Sequence, residues 1–382
     1  MSADRAEPRE YFVPGRIELV GKHVDYAGGR SLTVATELGI RARATAIAKP
    51  ILRVRPAAGQ PFMDVPLAPR AKATRLRSSS YVAAVARRFS RDFPWARSGV
   101  AVEVQSDLPT SAGLSSSTAF VVTLLMALVD ANGLADDKRW IGAVPAPLAF
   151  AEYAAAIETG AAYRDFPGDA GVGVRGGAQD HVAIVCCEAG KVGQFSYLPP
   201  RVERMIPWPE DFVLAIGVSG VHATKTGNAR EAYNRLADAM RGTIEDRRSK
   251  IEDITRDVAE RREQFREETD IIVPGVGDAI RDRDWARLGA LVDRSQALAE
   301  RVLRNQVPET IHLARSAREL GAVGASAFGA GFGGAVWAMV ARADADGFLA
   351  AWRADYDKAF SGKRSRVKWS ITQPAGPARR VR

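Results

Sequence analysis

Only two cysteines occur among the 382 residues, Cys186 and Cys187, and they are adjacent. Neighbouring cysteines are poorly placed to bridge each other, so neither a disulfide framework nor a cysteine-rich metal site is open to this sequence. The pair reads as small buried apolar residues of a protein in a reducing compartment. No run approaches ~18 consecutive apolar residues, and Met1 to Glu10 is polar and charged with no apolar core behind it. Neither secretion nor membrane spanning is expected, and the expected location is cytoplasmic. No internal repeat is evident. Nor do Lys and Arg gather into one stripe. The net charge is +9, but the basic residues are scattered, with local clusters at Arg53 to Arg88 and Lys363 to Arg382. That field suits an anionic nucleotide better than a nucleic acid.

A hydrophobic share of 46% and a charged share of 26% over this length give a globular balance, long enough for two domains of ordinary size. The stretch Asp107-Leu108-Pro109-Thr110-Ser111-Ala112-Gly113-Leu114-Ser115-Ser116-Ser117-Thr118-Ala119 organises the rest. Small residues run into an apolar helical stretch, Phe120 to Val129. Gly113 lets the backbone turn where a Cβ would clash, the serines offer hydroxyls, and the first helical turn leaves amides without partners at a positive dipole end. An anion belongs there. No Lys follows the glycine, which excludes the P-loop pattern G-x-x-x-x-G-K-[ST]. Val100, Val102 and Val104 form a half-buried strand ahead of the loop, so strand, loop and helix supply the context a phosphate cradle needs.

Elsewhere an apolar run from Tyr11 to Val20 leads into the polar, turn-forming stretch Gly21 to Gly29, and Ser31 to Ile47 alternates as a long strand or hairpin. Lys49 to Ser80 reads as polar, Pro-rich loop, followed by a helix from about Ser80 to Phe89. Leu148 to Ala162, Ala-rich and preceded by Pro147, reads as a helix. A glycine-punctuated segment then ends at Gln179-Asp180-His181, ahead of what reads as an apolar strand, Val182 to Cys187. Pro199 to Pro209 reads as a linker, and the second domain begins near there. Asn228 to Glu268 alternates acidic and basic residues and reads as a solvated helical pair with one apolar stripe. Helices over Ala286–Leu303 and Glu309–Leu320 lead to a second glycine-rich loop, Gly324 to Gly334, then a strand Ala335–Val340 and a last strand near Arg366–Ile371. A strand rather than a helix follows that loop, so it is not a dinucleotide fingerprint, and its glycines serve close backbone approach.

Three separated motifs resemble the GHMP small-molecule kinases, and within them the galactokinase branch. Pro14-Gly15-Arg16-Ile17-Glu18-Leu19-Val20-Gly21-Lys22-His23-Val24-Asp25-Tyr26-Ala27-Gly28-Gly29 is similar to the galactokinase signature PGRVNLIGEHTDYNGG. The loop around Gly113 resembles LPxGxGLSSSA, Gly324 to Gly334 resembles GxxxTGxGFGG, and Pro374 to Ala378 resembles the closing P-x-G-A. The resemblance implies a two-lobed α/β (α+β) GHMP kinase fold. Residues 1–205 would be a lobe like ribosomal protein S5 domain 2, carrying the phosphate loop and the catalytic aspartate. Residues 206–382 would be a ferredoxin-like lobe carrying the third motif.

It also implies roles. Gly113, Leu114, Ser115, Ser116 and Ser117, with Gly329, Gly331 and Gly333, would bind ATP. Ser117 and Glu158 would hold Mg²⁺, an oxygen shell suited to that hard ion. Asp180 would accept the proton or a hydrogen bond from the attacking hydroxyl, with Arg16 stabilising charge on the γ-phosphoryl and holding Asp180 ionised. Lys22, His23, Asp25, Gly177 and Gln179 would meet a small-molecule sugar. The expected protein is a cytoplasmic ATP-dependent sugar kinase, monomer or dimer, with no nucleic-acid or membrane partner. A mevalonate-type kinase and a non-catalytic sugar-sensing regulator are the alternatives. The departures fall on the acceptor side: Lys22 stands where the signature has Glu, Glu18 where it has Asn, His181 where the family has Gln, and Gly227 where it has a tyrosine. An insertion of about ten residues, Tyr163 to Arg175, separates Glu158 from Asp180. Lys22 would pair either with a carboxylate on the acceptor, making it a uronic acid, or with a protein carboxylate such as Glu18.

Overall fold

The computed structural model describes residues 7–72, 79–109, 112–174, 176–221, 256–363 and 366–382. Gly227 and the stretch from Asn228 to Thr255 therefore lie outside the described residues, as do Thr110, Ser111 and Arg175. The chain opens with β1 (Arg9–Val20) and β2 (Arg30–Ile47), an antiparallel pair whose register shifts on either side of Arg16, Ile17 and Glu18. Such irregularities re-aim side chains beside functional sites, and here they flank the signature arginine. Next come β3 (Ile51–Arg55), β4 (Met63–Pro66), α1 (Ser79–Asp92) and β5 (Gly99–Ser106). β5 pairs with β2, β3 runs parallel to β5, and β4 closes that edge.

The helix α2 (Ser116–Ala131) is apolar nearly all round and packs on β1 and β2, with α1 and α4 (Pro147–Thr159) beside it and the short α3 (Lys138–Ala143) between them in sequence. A helix buried on every side needs no amphipathic stripe, which is why Phe120 to Val129 shows none. α5 (Gln179–Cys186) also lies against β1 and β2. Val182 to Cys186 is thus helix where the apolar run Val182 to Cys187 suggested a strand. A six-residue apolar run fits either, and here it is the buried face of a short helix between β1 and α4. The loops read at Lys49–Ser80 and Pro199–Pro209 also hold strands, β3 and β4 in the first. In the second, β7 (Arg201–Pro207) pairs with β6 (Lys191–Ser196), which itself pairs with the start of β2.

The second sheet, among the described residues, is antiparallel and ordered β11–β8–β10–β9, with β8 (Phe212–Val218), β9 (Gly324–Ala327), β10 (Ala335–Ala341) and β11 (Lys368–Thr372). Its helices come in the order α6 (Arg256–Arg266), α7 (Val273–Asp282), α8 (Trp285–Leu298), α9 (Pro308–Glu319) and α10 (Ala345–Ala359). A π-helical turn, Glu267–Ile272, joins α6 to α7. α8 and α9 pack on β9 and α10 on β8 and β11. The tail then returns to the first sheet, where β12 (Arg379–Arg380) pairs with β1. Among the described residues no helix is long and apolar enough to cross a membrane.

Candidate active site

The phosphate-type loop is built on backbone geometry. Gly113 adopts φ +86°, and a Cβ there would sit 3.0 Å from the carbonyl oxygen of Phe328. Ser115, also left-handed at φ 60°, is the residue before α2, so the first amides of that helix open where the turn ends. Leu114 accepts from the amide of Arg16 at 3.3 Å, and Gly113 O accepts from Arg16 Nη1. Ser116 and Ser117, half-buried in the first turn of α2, leave their hydroxyls without hydrogen-bond partners among the described residues. The loop and helix end thus present donors to an anion, which fits a polyphosphate by chemistry and shape.

Three segments meet at Asp180. Arg16 Nε donates to Asp180 Oδ1 at 2.7 Å, Arg16 Nη2 lies 2.6 Å from the same oxygen, and Ser115 Oγ donates to Oδ2 at 2.6 Å. Arg16 is 4% exposed, so this ion pair works in a low-dielectric setting. Asp180 stands in the first turn of α5, where the dipole favours a carboxylate. The catalytic pair expected from sequence is therefore assembled, with the phosphate loop holding the other carboxylate oxygen.

On the acceptor side, Gln179 N donates to Asp25 Oδ2 at 3.3 Å, and a Cβ on Gly177 would come within 2.6 Å of Asp25 Cγ. Only glycine leaves room for that carboxylate. Gln179 Nε2 also donates to Glu18 Oε2. His23, at φ 56°, places Nδ1 3.2 Å from Tyr26 Oη and Nε2 3.1 Å from Ala330 O. Arg16, Glu18, His23, Asp25, Glu158, Gly177, Gln179, Asp180, His181 and Gly329 all line one cavity.

Lys22 does not. Its Nζ turns into the second lobe and donates to Ser295 Oγ at 3.0 Å and Ser326 Oγ at 2.8 Å, and Ser295 in turn donates to Glu268 Oε1 at 2.7 Å. Burial pulls its ammonium down, with Glu268 first, then Glu18 and Glu300, pulling it back up. The expected contact between Lys22 and the acceptor is corrected, since its hydrogen bonds go to two serines beside a protein carboxylate. That carboxylate is Glu268 rather than Glu18. A buried cation needs such neighbours, and the second lobe supplies them.

Glu158, 4% exposed, lies on α4 with Thr118 Oγ1 donating to its Oε2 at 3.2 Å and His181 Nε2 3.1 Å from the same atom. The insertion folds back on this helix end: Val172 N donates to Glu158 O, Arg87 pairs with Asp169 at 2.8 Å, and Val174 lines the cavity. Among the described residues no cluster of three His, Cys, Asp or Glu side chains forms a metal site by itself. Glu158 in the cavity and the Ser117 hydroxyl in the first turn of α2 are nevertheless hard oxygen donors, the ligand type Mg²⁺ takes. In the second glycine-rich loop, Gly329 packs on Gly113, while side chains on Gly331 and Gly333 would strike Asn305 and Val221. Those two glycines allow close packing within their own lobe. A larger cavity, about 1,330 Å³, lies elsewhere, lined by residues such as Glu10, Arg41, Trp208 and Arg379. None of the residues just assembled lines it, so chemistry rather than size picks the smaller one.

Known proteins match the same three places. Residues 3–46 match the galactokinase galactose-binding signature, 80–162 the N-terminal domain of GHMP kinases and 278–358 their C-terminal domain. The chain belongs to the GHMP kinases, in their galactokinase-like branch. A galactokinase of Pyrococcus furiosus is 26% identical over 371 residues, 95% of this chain and 96% of that one. A galactokinase of Lacticaseibacillus casei is 25% identical over 375 residues, 89% and 87% of the two chains. The fold is that of Lactococcus lactis galactokinase complexed with galactose, with a TM-score of 0.78 at 20% identity, covering 99% of this chain and 96% of that one.

Sequence reasoning missed the parts of this GHMP kinase that grip the signature loop from the second lobe. Arg261 Nη2 donates to His23 O at 2.5 Å and Tyr26 Oη at 3.1 Å, Gln264 Nε2 reaches Lys22 O at 3.5 Å, and Glu268 Oε1 accepts from Gly21 N at 2.7 Å. Asn305 Nδ2 sits 3.1 Å from His23 Nε2. Arg261, Gln264 and Glu268 are 4%, 1% and 0% exposed, so this end of the stretch read as solvated is buried polar surface. Their spacing of three then four residues was the available signal, because it puts three polar side chains on one helical face.

Proposed function

We propose that this chain is an ATP-dependent sugar kinase that moves the γ-phosphoryl onto the anomeric 1-hydroxyl of a galactose-like hexose. The carrying observation is the junction at Asp180, where Arg16 holds one carboxylate oxygen and the phosphate-loop Ser115 the other. A carboxylate pinned at both ends faces its acceptor in one orientation, and phosphoryl transfer gains chiefly from positioning and charge stabilisation. The amides of the Gly113 loop and the start of α2 receive the triphosphate. Arg16 spreads positive charge toward the transferred group, and Asp180 orients the acceptor hydroxyl and takes up its proton as the bond to phosphorus forms. His23, Asp25 and Gln179 hold the ring. Ser117 and Glu158 would hold Mg²⁺, which supplies charge neutralisation on the phosphates when bound.

The uronic-acid alternative loses its support because Lys22 is occupied within the protein. Incubation with ATP and a panel of hexoses, uronic acids and mevalonate, read by ADP release and by phosphorus NMR of the product, tests this reading. A sugar 1-phosphate is expected. Turnover of mevalonate alone, or of no compound at all, would overturn it.

A further inference from the structure

Glu18 sits where β1 enters the cavity. Alternation along the strand sends Arg16 and Glu18 to one face and Ile17 and Leu19 to the other, and both polar side chains line the cavity. Glu18 is 3% exposed. Its Oε2 is taken by Gln179, but Oε1 is buried with no hydrogen-bond partner among the described residues. An orphaned carboxylate oxygen in the interior is costly, and one on a residue that lines the cavity can be satisfied by a donor on a bound ligand. Burial pushes this carboxyl up to about 7, against the pull of Arg16, Lys22 and Gln179.

The surrounding charges restrict what can approach. Glu18, Asp25, Glu158 and Asp180 all line the cavity, whereas the Arg16 guanidinium is already engaged by Asp180 and Gly113 O and Lys22 faces the other lobe. A carboxylate-bearing acceptor would enter among four acidic side chains, with Arg16 committed to Asp180 and the phosphoryl group and Lys22 facing away. A hydroxyl or an ammonium would find a ready acceptor.

We propose that Glu18 is a specificity-determining residue: its Oε1 accepts a hydrogen bond from an N–H or O–H donor of the acceptor sugar, so that neutral and amino sugars are taken and sugar acids rejected. This rests on the sugar-kinase reading. The test compares the full-length wild type with Glu18→Gln and Glu18→Asn, using D-galactose, D-galactosamine and D-galacturonate. Initial rates with ATP are paired with calorimetric binding of each sugar in the presence of a non-hydrolysable ATP analogue.

Wild type should favour galactose or galactosamine over galacturonate by about a hundredfold in kcat/KM, since a site that leaves buried polar groups mismatched discriminates strongly. Both variants should narrow the preference over galacturonate at least about tenfold while the KM for ATP stays within about threefold. An unchanged preference in folded variants, or a wild type that favours galacturonate, overturns the proposal. If the wild type phosphorylates no sugar, the sugar-kinase reading falls and the binding arm decides Glu18 alone. Weaker galactose binding by both variants then supports it, and equal affinities, or no sugar binding by wild type, overturn it. Should both variants fail to fold, the wild-type preference among the three sugars decides.

Discussion

The two loops that flank the start of α5 are held in opposite ways. The phosphate loop keeps its shape chiefly through backbone contacts, with left-handed Gly113 and Ser115, a hydrogen bond from the Arg16 amide to Leu114 O and close packing of Gly113 on Gly329. The signature loop from Gly21 to Gly29 is clamped by side chains far away in sequence, Arg261, Gln264, Glu268 and Asn305. A loop held chiefly by backbone contacts presents the same donors when the side chains around it change. One fixed by a remote lobe changes when that lobe changes. The donor half of the reaction is therefore conservative in its physics, and the acceptor half is adjustable without disturbing the chemistry.

Asp180 belongs to both halves, so its loss should produce the largest effect. Asp180→Asn keeps the shape but removes the charge that Arg16 pairs with and, in the proposed mechanism, the atom that receives the proton. We expect kcat to fall about 10³-fold or more, equivalent to ~4 kcal/mol, with the Kd for ATP within about threefold of wild type. Single-turnover phosphotransfer and nucleotide calorimetry would measure both. A variant with nearly full activity would remove Asp180 from the reaction and leave the two loops merely adjacent.

Lys22 sharpens the contrast from the other side. Lys22→Met removes a buried cation and leaves Glu268 without it, so thermal or denaturant unfolding should show a loss of about 3–4 kcal/mol. The relative rates on neutral and acidic sugars should stay the same. A shifted sugar preference with normal stability would return Lys22 to the acceptor site.

Glu18 gives the pH dependence. Its carboxyl in the folded chain is raised from 4.5 to about 7, so between these values the folded state binds more protons than the unfolded one. The stabilising contribution is complete below pH ~4.5 and is lost as pH rises toward 7, by on the order of 3 kcal/mol at most. Glu18→Gln should lack that fall. Denaturant midpoints for both proteins at pH 5 and pH 8 check the sign, and parallel curves would reject the assigned shift.

How much of this was legible in sequence follows the same division. The 18-residue alternation of β2 and the buried helix α2 stand out because long patterns average away local noise. The helix at Val182–Cys186 and the short strands β3, β4 and β7 did not, since runs of four to eight residues carry too few repeats to fix a period. In the site, Arg16, Asp25, Gly113 and Asp180 sit in contiguous motifs and came directly from them. The serine partners of Lys22, and Arg261 and Asn305, come from separate helices, a strand and a connecting loop of the second lobe. No local pattern pairs Lys22 with Ser295, 273 residues on.

The finest division between the two halves is a pair of glycines. A methyl on Gly177 would come within 2.6 Å of Asp25 Cγ and 2.9 Å of the Asp25 backbone carbonyl carbon, so relaxation has to move a buried side chain that Gln179 also holds. A methyl on Gly113 meets Phe328 O at 3.0 Å, which a small shift relieves, but it also forces alanine into φ +86° at a cost of about 1–2 kcal/mol. The two strains fall on opposite sides of the site. Gly177→Ala should therefore raise the KM for the sugar about tenfold and leave that for ATP unchanged, while Gly113→Ala should do the reverse. Steady-state kinetics with each substrate varied at saturating partner would show the crossing pattern. If either variant weakened both substrates equally, the halves would be one mechanical unit, and the independence drawn from their separate supports would fail.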